Sequence, residues 1–271
     1  MGYDIAVCIK PVPDPKYYDK IKIHPVKKTI IREGIPTIIN PSDKHAIEAA
    51  LRIKEEFGGK VITITMAPMS SQENIREALA MGADEAYLLS NRMFAGSDTL
   101  ATSYVLAQGL KKIGKFDFIF TGNESADGAT SQVPGQIAEW LNIPHLCNVR
   151  EFHFTKDKKV EAKIKIEGGY IEYLTTIPVL FSVSREVNKP RYTTIKGVIR
   201  ARQKPINIFT VRDLELDNKY IGLKGSPTQP GEIYIPSIGR NGEKLKGDPR
   251  KIAIQILDRI RSVGVNFGKS K

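Results

Sequence analysis

The sequence predicts an α/β fold: a doubly wound, mostly parallel sheet with an added β-hairpin and an extended C-terminal arm. Three observations lead there. Residues 1–141 carry four strand-then-helix units, whose strands are apolar runs of the kind buried on both faces. Repeated units of this kind wrap helices over both faces of one sheet. From Val149 the pattern turns to alternation around Gly168-Gly169, as in a hairpin, and after Pro190 the rhythm stops.

Taken in order, Ile5-Ala6-Val7-Cys8-Ile9 is the first strand, ended by the prolines of residues 11–15, which cannot continue a ladder. A short pair is expected from Ile21-Lys22-Ile23 and Thr29-Ile30-Ile31. Asn40-Pro41-Ser42-Asp43 caps an amphipathic helix carrying Ala46, Ile47, Ala50, Leu51 and Ile53. Val61–Met66 is the second strand, broken at Ala67-Pro68. Ser70 with Glu73 reads as a capping box for a helix through Ile75, Ala78, Leu79 and Met81, stopped by Gly82. Ala86–Leu89 is the third strand, and Ser97-Asp98 caps a helix from Thr99 to about Ile113. Phe116–Phe120 is the fourth; it runs through Gly122–Gln136 into a helix ending at Leu141. Lys159–Ile166 and Tyr170–Ile177 form the hairpin, and Pro178–Val183 is one more strand able to return to the sheet. In the tail only Pro249–Val263 reads as a helix, and Gly225–Gly231 is linker-like. A tail with so little core of its own is expected to lie on something else, either this domain or another subunit.

Composition narrows the class. With 41% hydrophobic and 26% charged residues, 271 residues suffice for one large domain, or one plus an extension. The start lacks the basic region of a secretion signal, and no apolar run approaches the ~20 residues that span a bilayer. No membrane insertion is expected, and cytoplasm is the default location. Cys8 and Cys147 lack CxxC spacing, and His24, His45, His145 and His153 lack metal spacing, so no disulfide framework or metal site is expected. The net charge of +11 is concentrated late: residues 191–271 hold 17 Lys/Arg against 7 Asp/Glu. These basic residues are scattered without aromatic interleaving, which argues for a partner-facing or solvated surface rather than nucleic acid.

The focal stretch is Gly122–Gln136, GNESADGATSQVPGQ. A strand passing through a small-residue turn into a helix leaves backbone N–H groups free where the helix dipole favours an anion. Asp127-Gly128 supplies a turn, and Thr130 and Ser131 supply hydroxyls. Neither a GxxxxGK[ST] loop nor a GxGxxG fingerprint is present. In doubly wound sheets ligands bind outside the carboxyl ends of the strands. Here those ends are Cys8-Ile9-Lys10, Met66-Ala67-Pro68 and Gly122–Val133, which can converge on one nucleotide-sized crevice.

VCIKPVPD, INPSDKHAIEAAL, REALAMGADEA, the GxxxxDGxTxQV loop, NKPRYTTIKGVIRARQK and the hairpin AKIKIEGGYIEYLTTIPVLFSV together resemble the β subunit of electron transfer flavoproteins over nearly the whole chain. The resemblance implies an adenine-nucleotide-binding domain at 1–190, a partner-recognition region at 191–204 and a C-terminal arm at 205–271 that wraps an α subunit. The catalytic FAD belongs mainly to that α subunit, and no side chain of the β chain need be catalytic. The β chain's own site takes AMP in plain electron carriers and a second FAD in electron-bifurcating members. Mapped here, it comprises Cys8, Asn40, Pro41, Ser42, Asp43, Met66, Gly122, Asn123, Glu124, Ser125, Ala126, Asp127, Gly128, Ala129, Thr130, Ser131, Gln132 and Val133. Arg191 and Ile195 fall in the segment resembling the loop that docks an acyl-CoA-type dehydrogenase, with Ile195 at the aliphatic anchor position.

NRMFAGSDTLATSYVLAQGL and LKGSPTQP are similar to bifurcating members, which places Thr99 and Thr102 near the cofactor; alternatively Ser97 and Thr99 only cap their helix. A second flavin would make NADH the substrate, with one electron passing toward the dehydrogenase and the other to ferredoxin or flavodoxin. The loop departs from the common bacterial pattern, since Asn123-Glu124-Ser125 replaces Arg-Gln-Ala and Pro134-Gly135 replaces Gly-Pro. The usual basic residue is therefore missing beside a phosphate site. Two rival classes remain: a universal-stress-type nucleotide sensor, which leaves the tail unexplained, and a basic nucleic-acid binder, which predicts steeply salt-dependent affinity.

Overall fold

The computed structural model describes residues 2–20, 22–23, 30–31, 34–155, 159–229, 231 and 242–264. They divide into two compact units, Met1–Ile233 and Tyr234–Lys271. The first unit is built on a nine-stranded sheet in the order β11 (Gly169–Thr175), β10 (Val160–Ile166), β9 (His145–Phe154), β12 (Val179–Val183), β8 (Phe118–Gly122), β1 (Tyr3–Cys8), β6 (Gly59–Met66), β7 (Glu85–Leu89), β13 (Asn207–Phe209). β1 (Tyr3–Cys8), β6 (Gly59–Met66), β7 (Glu85–Leu89), β8 (Phe118–Gly122) and β12 (Val179–Val183) are parallel. From β1 the chain winds outward one way through α1 (Pro41–Phe57), β6, α2 (Gln72–Met81) and β7. It then returns through α3 (Thr99–Ile113) to β8 on the other side of β1. The strand order reverses between β1 and β8, and that is the switch point.

Alternate residues of each central strand feed opposite faces. Ile5, Val7, Phe118, Phe120 and Phe181 pack under α1 and α2 with Ile47, Leu51, Ile75 and Leu79. Ala6, Cys8, Ile119 and Leu180 pack with Tyr104, Leu106 and Leu110 of α3 and with Ile137 of α4 (Val133–Leu141). Burial on both faces is why these strands read as unbroken apolar runs. Each fully buried Phe contributes roughly 1.5–3 kcal/mol.

The expected pair near residues 22–31 is present as β3 (Lys22–Ile23) and β4 (Ile30–Ile31), joined antiparallel; Ile21 and Thr29 lie outside the described residues. A second small pair joins β2 (Pro11–Pro13) to β5 (Thr37–Ile39). The hairpin is β10 (Val160–Ile166) with β11 (Gly169–Thr175), and it extends the sheet through β9 (His145–Phe154).

Several local expectations are corrected. β9 runs parallel to β12 and antiparallel to β10, and left-handed Asn148 (φ 59°) and a register shift break the alternation that would have announced it. Asn40 stands at the start of α1 but makes no side-chain cap bond. Ser70 and Glu73 form no capping box: a 3-10 turn at Met69–Ser71 leads straight into α2, with Ser71 at the cap position. Asp98 alone caps α3, accepting from the Ala101 N–H at 3.0 Å, whereas the Ser97 hydroxyl donates to the Phe94 carbonyl.

The chain beyond Pro190 is also more ordered than its pattern suggested. α5 (Ile195–Gln203) packs on α2, and β13 (Asn207–Phe209) adds a parallel edge strand to β7. Leu214 and Ile221 are buried in the α3 face, and the Asp217 N–H donates to Tyr104 Oη at 2.8 Å. Residues 205–229, expected as the start of the arm, therefore belong to the first unit. In the second unit α6 (Pro249–Ser262) matches the expected helix, capped by Asp248, and leaves Ile254, Ile256 and Leu257 exposed.

Candidate functional site

Because the chain leaves β1 and β8 in opposite directions, a crevice opens beyond their carboxyl ends, with a cavity of about 490 Å³. Its lining includes Cys8, Asn40, Asp43, Met66, Thr99, Thr102, Gly122–Ser125, Asp127, Gly128 and Thr130–Val133, all foreseen from the sequence. Pro41, Ser42, Ala126 and Ala129 are not in the lining. Ser42 is buried beneath it, and the Ala126 N–H is used to fasten the loop. Sequence reasoning missed Phe94, Gly96, Leu106 and Pro134 as lining residues, and it set Lys10 at the crevice only as part of a strand end, without a binding role. Its position after a strand end placed Lys10 there, and its positive charge was the signal left unused. Phe94 and Leu106 had none, because an apolar side chain on a helix or turn reads as core.

Asn40 and Asp43 hold the loop rather than simply facing the cavity. Asn40 is 1% exposed; its amide donates to Asp43 Oδ1 (2.9 Å) and to the Glu124 carbonyl (2.8 Å), and its oxygen accepts from the Ala126 N–H (3.0 Å). That engagement is why the side chain does not cap α1. Asp43 also accepts from the N–H groups of Lys10 (2.7 Å) and Gly122 (3.2 Å), so one carboxylate ties together the ends of both strands.

Burial pushes the Asp43 carboxyl up to about 7, against the opposing pull of the Asn40, Lys10 and Gly122 donors. A carboxyl raised from about 4 to about 7 by folding retains a proton that the unfolded chain has lost. Its contribution to stability is thus full below about pH 4 and disappears as pH rises through 7. Between pH 5 and pH 7, stability should fall with a slope approaching ~1.4 kcal/mol per pH unit from this group. Urea unfolding of wild type and Asp43→Asn across that range checks it: the variant's curve should be flatter, and parallel curves would refute the assignment.

Lys10 supplies the basic group that the loop lacks. Its ammonium donates to Asp127 Oδ1 (2.6 Å) and Ser125 Oγ (3.2 Å) and is about half exposed. Burial works to raise Asp127, but the Lys10 ammonium outweighs it and holds the carboxyl below its usual range. The main chain reaches the helix through left-handed Ala129 (φ 47°) and Ser131 (φ 55°), and no side chain caps α4 at Gln132. Thr99 Oγ1 donates to Gln132 Oε1 (3.0 Å), which joins the starts of α3 and α4 along the cavity wall. Asn123 lines the cavity, and its buried Oδ1 has no hydrogen-bond partner among the described residues. Burial, with Asp43 beside it, raises the Cys8 thiol, so it packs rather than reacts. Among the described residues no His, Cys, Asp or Glu cluster has the makings of a metal site, and no helix is long and apolar enough to cross a membrane.

The two residues expected to bind a partner are placed differently. Ile195, at the start of α5, is 82% exposed. Arg191 instead engages its own chain, through Glu48 and Glu55 of α1.

An electron transfer flavoprotein domain is matched over residues 27–214. The chain is 44% identical to the electron transfer flavoprotein subunit beta of Thermoanaerobacterium thermosaccharolyticum, over 96% of this chain and 98% of that one. It is 39% identical to the subunit of the same name from Clostridium acetobutylicum, covering 95% and 98%. It is also 43% identical to the caffeyl-CoA reductase-Etf complex subunit CarD of Acetobacterium woodii, covering 90% and 92%.

Proposed function

Since the chain belongs to the electron transfer flavoprotein family, as a β subunit, we propose that it pairs with an α subunit and holds a second FAD in the cavity described above. In this reading the heterodimer oxidises NADH, sending one electron toward an acyl-CoA-type dehydrogenase and the other to ferredoxin or flavodoxin. The observation that carries it is the extent of the lining. The cavity does not stop at the loop and α4, where a phosphate group would sit; it continues onto Met66, Phe94, Thr99, Thr102 and Leu106, an apolar wall with hydroxyls. Such a wall suits a flat ring system, and the volume lies within the ~300–1,000 Å³ usual for cofactor sites. The likeness to a subunit of a caffeyl-CoA reductase-Etf complex supports the same reading.

The residues fit the group. Lys10 and the uncapped start of α4 offer positive potential to phosphates, and the buried Asn123 Oδ1 is without a partner among the described residues. When bound, the flavin accepts an electron pair and releases it singly. The chain's own part is to bind and orient it, to exclude water with Met66, Phe94 and Leu106, and to hold the loop through Asn40 and Asp43. The exposed apolar residues of α6 supply a surface for an arm on the α subunit.

The decisive measurement is the cofactor content of the complex co-purified with its α subunit. Two FAD per heterodimer, no AMP, and NADH-driven ferredoxin reduction are expected. One FAD with one AMP would make the protein a plain electron carrier.

A further inference from the structure

An exposed apolar segment of this chain is pinned at both ends. Tyr192 is 88% exposed, and Ile195 and Ile199, one helical turn apart on α5, are 82% and 54% exposed. At the far end α5 lies so close to α2 that a Cβ on Gly197 would stand 2.4 Å from the Ala80 carbonyl oxygen. There Arg76 donates to the carbonyls of Ala201 (2.9 Å) and Lys204 (3.3 Å), and the Lys204 ammonium donates to that of Ala83 (2.8 Å). At the near end Arg191 spans two carboxylates of α1. Its Nε donates to Glu48 Oε2 at 2.7 Å, its guanidinium also donates to both oxygens of Glu55, and its backbone N–H reaches Glu48 Oε2 at 3.1 Å. Arg52 donates to the other Glu48 oxygen (2.8 Å), and Asn188 and His45 exchange hydrogen bonds through main-chain oxygens.

We propose that Arg191 is a positioning residue: with Glu48 and Glu55 it clamps the root of the Tyr192–Ile199 surface to α1, holding that surface in one pose for a protein partner. The proposal rests on the reading of the chain as a carrier that docks a dehydrogenase. A guanidinium presents several donors in a fixed plane, so two carboxylates on one helix face orient it as well as attract it. Burial works to raise Glu48, but the Arg191 and Arg52 donors outweigh it and keep it ionised. Holding bulky apolar side chains in place before encounter removes an ordering cost that binding would otherwise carry. The same helix bears Asp43 at its first turn, so docking surface and cavity share one rigid frame. Glu48 is 3% exposed and out of a partner's reach, which separates a clamp from a direct contact.

The test uses the complex with its α subunit, measuring electron delivery against dehydrogenase concentration. Arg191→Met and Glu48→Gln should each raise the half-saturating concentration about ten-fold, the scale of ordering a few interface side chains, with maximal rate and flavin content unchanged. Amide exchange should quicken across 192–199 and stay unchanged at the start of α1. Arg191→Lys, which keeps the charge without the fork, should fall between. If Arg191→Met weakens delivery while Glu48→Gln does not, Arg191 touches the partner itself and the clamp is overturned. Unchanged half-saturation in both would overturn it too. Should Glu48→Gln fail to assemble, Glu55→Gln at the exposed end of the clamp gives the same reading with a smaller effect. Ile195→Ala tests the underlying premise separately: no effect there removes the docking reading, whereas an effect there with none at Arg191 removes only the clamp.

Discussion

Alanine at position 122 should cost on the order of 3 kcal/mol and leave the cavity unable to retain a nucleotide. Gly122 ends β8 where the start of α1 crosses it. A Cβ there would stand 2.4 Å from Asp43 Oδ1, 2.7 Å from Ser42 Cβ and 2.8 Å from the Ser42 carbonyl carbon. The helix has little room to retreat, because the Asn40 N–H is bonded to the Lys10 carbonyl at 2.9 Å and Asp43 is bonded to both strand ends. Any shift that relieves the clash breaks the ties that shape the loop. Chemical unfolding and nucleotide content of the complex with its α subunit measure the two effects. A variant within 1 kcal/mol of wild type and fully loaded would refute the argument.

Asn40→Ala should have the next largest effect, about 2–4 kcal/mol, because deleting a buried amide strands the groups it satisfied. Three hydrogen bonds are lost, and the Glu124 carbonyl and Ala126 N–H lose their partner. The loop then leaves its place over the cavity, and nucleotide affinity should fall about a hundred-fold, the size of two such bonds. Asn40→Asp is a sharper control. It keeps the acceptor for Ala126 but turns the donor to the Glu124 carbonyl and Asp43 into an acceptor, so it should be as damaging as alanine. An Asn40→Asp protein with normal affinity would show that the latch does not govern the site. Titration calorimetry with AMP and with FAD reads both variants.

How much was legible follows from where each signal resides. The central strands and the helices between them could be read because burial on both faces demands unbroken apolar runs, and helices covering them demand one apolar stripe. α5 misled for the opposite reason. Its buried positions are the small Gly197 and Ala201, so its large apolar residues mark the exposed face. β9 and β13 were missed because one is kinked at Asn148 and the other has three residues, too few for a period. Most of the cavity lining was visible in the loop and strand ends, while Phe94 and Leu106 looked like ordinary core.

The sequence by itself determined the parallel sheet, its switch point, the loop that follows β8 and the family to which the chain belongs, since all of these are written in local patterns of apolar and small residues. Only the tertiary structure decided the partners of the polar side chains. Asn40, read as a cap, is the latch of a loop 84 residues away; Lys10, read only as a strand end at the crevice, is the site's cation; Arg191, read as a partner contact, reaches 143 residues back to Glu48. A hydrogen bond or ion pair depends on two groups brought together by folding, and neither residue's local sequence records the other.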